Sequence, residues 1–138
     1  MADTTVMVKP KLITRSEAEW LKLLTPEQYR VMRRFGTEPA GSCALNEEKR
    51  PGTFLCAGCD LPLFVSQTKY ESHSGWPSFY APIEGAVGQK KDPIYGDLNV
   101  EVYCRQCVSH LGHIYPDGPP PTNQRYCVNG VALKFIPD

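Results

Sequence analysis

Residues 51–65 read PGTFLCAGCDLPLFV. A short apolar run, a C-x-x-C pair and a second short apolar run lie between Gly and Pro punctuation, the pattern of a hairpin that carries a metal knuckle in its turn. The plan recurs at residues 99–116, NVEVYCRQCVSHLGHIYP. Other apolar runs after residue 52 are equally short: WPSFYAP, YCV and VALKFI. Val100 and Val102, then Val131, Leu133 and Phe135, repeat every second residue, as in a strand buried on one face. Asn129-Gly130, between RYCV and VALKF, predicts a hairpin turn. The expected fold is mostly β, a sandwich or partly open barrel with an N-terminal helical arm.

Helix signals are confined to the first quarter. Ser16 with Glu19 three residues later is a capping box ahead of Trp20, Leu21, Leu23 and Leu24. Thr25, Pro26 and Gln28 restart the pattern as N-cap, N1 and N3. Tyr29, Met32 and Phe35 fall on one face, and Gly36 is placed to stop the helix. Two short helices are expected, over roughly 16–24 and 26–35. At 138 residues the chain suits one domain: a loosely held segment 1–14, a helical arm 15–35 and a zinc-stapled β core 52–138. Folding at this size buries about two-thirds of the chain's surface. Fifteen Lys and Arg balance fifteen Asp and Glu, which argues against a nucleic-acid binder with a basic face. No stretch approaches the ~20 apolar residues of a membrane span, and the first residues lack the apolar run of a signal peptide. A cytoplasmic protein with reduced thiols is expected.

The cysteines are Cys43, Cys56, Cys59, Cys104, Cys107 and Cys127. A secreted chain would pair six as disulfides. In a reducing compartment, two C-x-x-C pairs mean metal or redox chemistry. A redox C-x-x-C belongs between a strand and a helix in a βαβ pattern, which is absent from this sequence. Cys56, Cys59, Cys104 and Cys107 are therefore expected to hold one structural zinc ion in a closed tetrahedral site. Such an ion contributes folding energy on the order of 10 kcal/mol and no chemistry. Cys43 and Cys127 remain. Near Cys127 in motif terms stand Trp76 in SGWPSF, His110, His113 and Asp117 in SHLGHIYPDG, and Arg125 and Asn129 in QRYCVNG. Singly, each has a plain explanation: a buried Cys is a small hydrophobe, a Trp is core, and Asp117 is a turn former. Only their combination points to a site.

At this combination the sequence resembles the methionine sulfoxide reductase B family. The resemblance runs through LTPEQYRVMRRFGTEPAGS, PGTFLCAGC, SGWPSF, VEVYCRQCVSHLGHIYPDGP and QRYCVNGVALKFIP, nearly the whole chain in fixed order. It implies two packed antiparallel sheets (a β-tent) with a structural zinc. It implies reduction of the R epimer of methionine sulfoxide, free or in proteins, with Cys127 as nucleophile. His113, His110, Asn129 and Arg125 would share the catalysis, and Trp76, Phe79 and Asp117 would meet the substrate. Thioredoxin would be the reductant of a protein that is expected to act as a monomer. Two positions depart from the family pattern. Gly130 stands where many members carry Ser, which should strengthen the turn. Ser74 stands where many carry the resolving cysteine. Some members use a cysteine in the segment of Cys43, here a Gly- and Pro-flanked loop expected to be mobile, so Cys43 is the expected resolving thiol.

The chemistry fits these residue types. A sulfoxide sulfur is a weak electrophile, so the attacker should be a thiolate. An unperturbed Cys with a pKa of about 8.5 is only about 3% ionised at pH 7, and Arg125, His110 or His113 would raise that fraction. The departing oxygen needs a proton. Imidazole suits that task near neutral pH, and His113 is favoured, with His110 or Asp117 in support. Trp76 would wall the S-methyl group, and Asn129 would donate a hydrogen bond nearby. The sulfenic acid left on Cys127 would condense with Cys43, and thioredoxin would open the disulfide. Two other readings compete: a zinc-stapled β binding module that uses Trp76, and a thiol peroxidase that uses Cys127 on hydroperoxides.

Overall fold

A computed structural model describes residues 7–92 and 96–138. Residues 1–6, the start of the segment expected to be loosely held, lie outside the described residues. The helices form where their caps place them. In α1 (Glu17–Leu23) the Glu19 amide donates to Ser16 Oγ at 3.1 Å and the Ser16 amide donates to Glu19 Oε1 at 2.7 Å. Thr25 and Gln28 repeat the exchange, at 3.1 and 2.9 Å, ahead of α2 (Pro26–Arg34). Each box satisfies two amides that a helix start would leave bare. Phe35, not Gly36, takes the left-handed conformation that ends α2 (φ 58°). Gly36 acts by close approach: its amide donates to the Arg30 carbonyl at 2.9 Å, and a Cβ there would sit 2.8 Å from that oxygen. Trp20, Val31 and Met32 are buried. The guanidinium of Arg33 lies 4.3 Å from the Trp20 ring centre and donates to the Cys107 carbonyl at 3.0 Å, which ties the helices to the second cysteine knuckle.

The strands are β1 (Gly52–Cys56), β2 (Pro62–Val65), β3 (Lys69–Tyr70), β4 (Ser78–Phe79), β5 (Val87–Asp92), β6 (Gly96–Cys104), β7 (His110–Tyr115), β8 (Arg125–Val128) and β9 (Leu133–Pro137). They form a three-stranded sheet, β2-β1-β9, and a six-stranded sheet, β3-β4-β8-β7-β6-β5, antiparallel throughout. Aromatic rings join the two. Phe64 of the small sheet stacks on Phe79 of the large one at 4.2 Å, and Phe54 meets Phe79 edge-on at 5.1 Å. Leu63, Val102, Leu111 and Val128 complete the buried layer.

Asn129-Gly130 does not make the expected hairpin. β8 belongs to the large sheet and β9 to the small one, and the chain crosses between them through a 3-10 turn at Gly130–Ala132. A type I′ turn needs φ above zero at both central residues, whereas Asn129 has φ −71°. Its amide is committed elsewhere: Asn129 Nδ2 donates to the Leu111 carbonyl and Asn129 Oδ1 accepts from the Glu38 amide, both at 2.9 Å. Long-range bonds to a buried side chain override the local turn preference.

Candidate active site and metal centre

The β1–β2 and β6–β7 turns carry the two C-x-x-C pairs and bring them together from different sheets. Cys56, Cys59, Cys104 and Cys107 place their sulfurs within 4.8 Å of one another. The closest pairs, Cys56–Cys107 and Cys59–Cys104, are 3.6 Å apart. A tetrahedral ion with metal–sulfur bonds of about 2.3 Å needs sulfurs about 3.8 Å apart, so the set could hold a metal ion. Donors that favour thiolates surround it. The Gly58 and Gln106 amides donate to Cys56 and Cys104 Sγ at 3.3 and 3.4 Å, and the Ser109 hydroxyl lies 3.1 Å from Cys107 Sγ. Such partners fix ligand orientation.

A cleft of about 330 Å³ opens on the large sheet, lined by Thr37, Trp76, His113, Tyr115, Cys127 and Asn129 among others. Strand register builds it. Cys127 on β8 stands opposite His113 on β7 and Ser78 on β4, and directly opposed residues of an antiparallel pair share a face. Gly112 lets the strands close, since a Cβ there would overlap the Cys127 carbonyl oxygen. His110 is three residues before His113, so strict alternation would send it to the other face. A bulge prevents that. Val102 pairs with Gly112 but Tyr103 pairs with His110, which leaves Leu111 as an extra residue. The two imidazoles therefore meet, with ring centres 5.4 Å apart. His110 Nδ1 lies 2.8 Å from Glu101 Oε2, and both side chains are almost fully buried. The Phe35 ring packs 5.1 Å from His110 on the other side.

Trp76 is held edge-on by its indole N–H, which donates to the Glu38 carbonyl at 2.9 Å. Arg125 sits two residues before Cys127, on the same face of β8. Asp117 holds it with bonds of 3.0 and 3.3 Å, and its guanidinium lies 4.4 Å from the Tyr115 ring centre. Burial pushes the Cys127 thiol above the ordinary cysteine value. The Arg125 charge and a hydrogen bond from Ser74 pull it down, and the Glu38 charge pushes it further up, with a net rise. The cations expected to favour the thiolate are present, but desolvation of the charged form outweighs them.

Of the residues the sequence singled out, Trp76, His113, Cys127 and Asn129 line one cleft. His110 stands behind His113, and Arg125 beside Cys127. Asn129 is held in the cleft wall by Nδ2 donating to the Leu111 carbonyl and Oδ1 accepting from the Glu38 amide. Phe79 is fully buried against Phe54 and Phe64, so its ring is part of the core and not of the cleft. Asp117 has a side chain 61% exposed, pairs with Arg125 and is not among the residues that line the cleft. Cys43 is half-buried at the start of a 3-10 turn, Ala44–Glu47, and a Cβ on Gly130 would overlap its sulfur. Sequence reasoning missed Thr37, Tyr115, Glu38 and Glu101. The two acids give no signal in a single sequence, because only tertiary burial separates them from surface charges.

Fold and site together define a two-sheet β protein with a four-cysteine set that could hold a metal ion and a half-buried cysteine, Cys127, set beside an imidazole pair and an aromatic wall. Residues 24–137 match the SelR domain family. A protein of Pseudomonas putida (strain W619) named peptide methionine sulfoxide reductase MsrB is 53% identical over 126 residues, covering 91% of this chain and 95% of its own. Proteins of the same name from Leptospira interrogans and Agrobacterium fabrum are 50% and 44% identical, covering 89% and 99% of this chain and 95% and 99% of their own. The chain belongs to the methionine sulfoxide reductase B family, whose members are oxidoreductases. Among the described residues no helix is long and apolar enough to cross a membrane.

Proposed function

We propose that this chain reduces the R epimer of methionine sulfoxide, free or within oxidised proteins, to methionine. The observation that carries the reading is the register that sets Cys127 opposite His113 in a cleft walled by Trp76. The Cys127 thiolate attacks the sulfoxide sulfur, and His113 supplies the proton that the sulfoxide oxygen needs. Methionine leaves, and the oxygen stays on Cys127 as a sulfenic acid. His110, pinned by Glu101, keeps the His113 ring in place, and Arg125 offsets part of the cost of a buried thiolate. Trp76 faces the S-methyl group, so only one arrangement of methyl, oxygen and lone pair on sulfur presents its oxygen to His113. Cys43 is the second thiol: it condenses with the sulfenic acid, water leaves, and thioredoxin reduces the disulfide. The four-cysteine set holds one zinc ion, supported by the sulfur spacing and the amide donors, and zinc there stabilises the fold. The chain works as a single domain over residues 1–138, a cytoplasmic monomer. The test is direct. Reduced protein given each pure epimer should release methionine from the R form alone, and Cys127→Ser should release none. Comparable release from the S form, or release by Cys127→Ser, would overturn the proposal.

A further inference from the structure

Glu38 is a carboxylate in a place that ordinarily refuses one. It is 1% exposed, and its hydrogen bonds tie it to Trp76, Asn129 and Val131. Its carbonyl accepts from the Trp76 indole, its amide donates to Asn129, and Glu38 Oε1 accepts from the Val131 amide at 3.0 Å. The other oxygen, Oε2, has no hydrogen-bond partner among the described residues. Leaving a buried polar oxygen unpartnered is costly.

The unpartnered oxygen and the Cys43 thiol both border the space beside Gly130. A Cβ on Gly130 would lie 3.4 Å from Glu38 Oε2 and 2.7 Å from Cys43 Cβ, and would overlap Cys43 Sγ. Carboxylate and thiol thus share the space that a side chain at position 130 would fill. We propose that Glu38 is the base that takes the proton of Cys43 when that thiol attacks the sulfenic acid of Cys127. This rests on the reading of Cys43 as the second thiol. Burial holds the Cys43 thiol above its ordinary value, and the Glu38 charge adds to the rise. At neutral pH Cys43 is therefore protonated and must lose a proton as it attacks.

The step balances. Cys43 S–H gives its proton to Glu38 Oε2. The sulfur electron pair forms the bond to Cys127 Sγ as the Cys127 S–O bond breaks. Glu38 hands the proton to the departing oxygen, which leaves as water. Cys43 sulfur is oxidised and the sulfenic sulfur is reduced, so no outside reagent is needed.

Glu38→Gln separates this role from a purely electrostatic one by sign. The amide oxygen can still accept from Val131, but a negative charge is gone. If Glu38 acted only through its charge, both thiols would ionise more readily and disulfide formation would quicken. If it is the base, disulfide formation slows. Rapid-quench single turnovers with methionine-R-sulfoxide and no reductant would follow methionine release and thiol loss, with dimedone trapping the sulfenic acid. The ratio of disulfide formation to methionine release should fall at least about tenfold, within the usual range for a lost general base, and the dimedone adduct on Cys127 should accumulate. An unchanged or larger ratio overturns the proposal. Gly130→Ala, which leaves Glu38 intact but displaces the Cys43 sulfur, should lower the same ratio; no change there overturns it as well. Cys43→Ser with full thioredoxin-dependent turnover would instead remove the underlying reading, whatever Glu38 does.

Discussion

Ser74 occupies the position where many members of the family carry the resolving cysteine, and the structure gives it a different task. Its hydroxyl is among the influences that lower the Cys127 thiol, although burial leaves a net rise. It lies 2.8 Å from Ser72 Oγ and accepts from the Trp76 amide at 3.3 Å, so the loop ahead of β4 holds it in place. Ser74→Cys should therefore do two opposite things. A thiol is a weaker donor than a hydroxyl. A hydrogen bond to a charged group is worth about 1.5–3 kcal/mol, so losing it costs at most about one to two pKa units at Cys127. The first step should slow at pH 7 by up to about a hundredfold. The new thiol is expected, however, to reach Cys127 and form a disulfide with it. That crosslink would also constrain the unfolded chain by on the order of 4 kcal/mol in the loop-entropy account.

The assay uses the Cys43→Ser background, where Cys43 cannot take part. Cys43→Ser alone should release about one methionine per enzyme and lose most thioredoxin-dependent turnover, because thioredoxin attacks a disulfide and not a sulfenic acid. Adding Ser74→Cys should restore turnover coupled to NADPH oxidation, with two thiols lost per methionine released. If methionine is released but no second thiol disappears, the contact between position 74 and Cys127 is not the one described, and the account of Ser74 fails.

Arg125→Ala removes the cation that lowers the Cys127 thiol, so that thiol should ionise at still higher pH. The rate of alkylation by iodoacetamide should shift along the pH axis accordingly, falling about tenfold at pH 7 for each unit; an unshifted profile would remove Arg125 from the site. Phe79→Ala empties the contact between the sheets and should cost about 3–5 kcal/mol in denaturant unfolding; a raised KM with unchanged stability would return Phe79 to the cleft. Cys56→Ser should lose the bound metal and unfold at much lower temperature, and a folded variant that keeps a full complement of zinc would refute the four-thiolate site.

What was legible in the sequence is what short spacing encodes. Both capping boxes and both C-x-x-C pairs depend on residues three apart, and the structure has the boxes as read and the four sulfurs together. Strand membership depends on pairing partners far along the chain. Asn129-Gly130 satisfies the local rule for a hairpin and still leads from one sheet to the other, because its amide is bonded to Leu111 and Glu38. The bulge at Leu111 is silent in the sequence as well. H-x-x-H reads equally well as two residues on opposite faces of a strand, and only the extra residue opposite β6 puts both rings on one side. Phe79 is expected to meet the substrate, yet Pro77 separates a residue of the cleft wall from a strand of the core, and Phe79 is fully buried between the sheets.

The two departures from the family pattern, Ser74 and Gly130, look unrelated in the sequence and are 56 positions apart. On the proposed reading of Cys127 and Cys43 they are two sides of one exchange. Ser74 carries a hydroxyl, which cannot form a disulfide with a sulfenic acid. Gly130, expected only to strengthen a turn, instead vacates the volume that the Cys43 thiol occupies. A serine at 130 would need that same volume, so Cys43 in this seat and a side chain at 130 exclude each other unless the 3-10 turns on both sides shift. Overpacking of this kind costs about 1–3 kcal/mol, enough to displace a half-buried thiol. On the proposed reading of Cys43 as the second thiol, position 130 bears on that role as much as position 74 does.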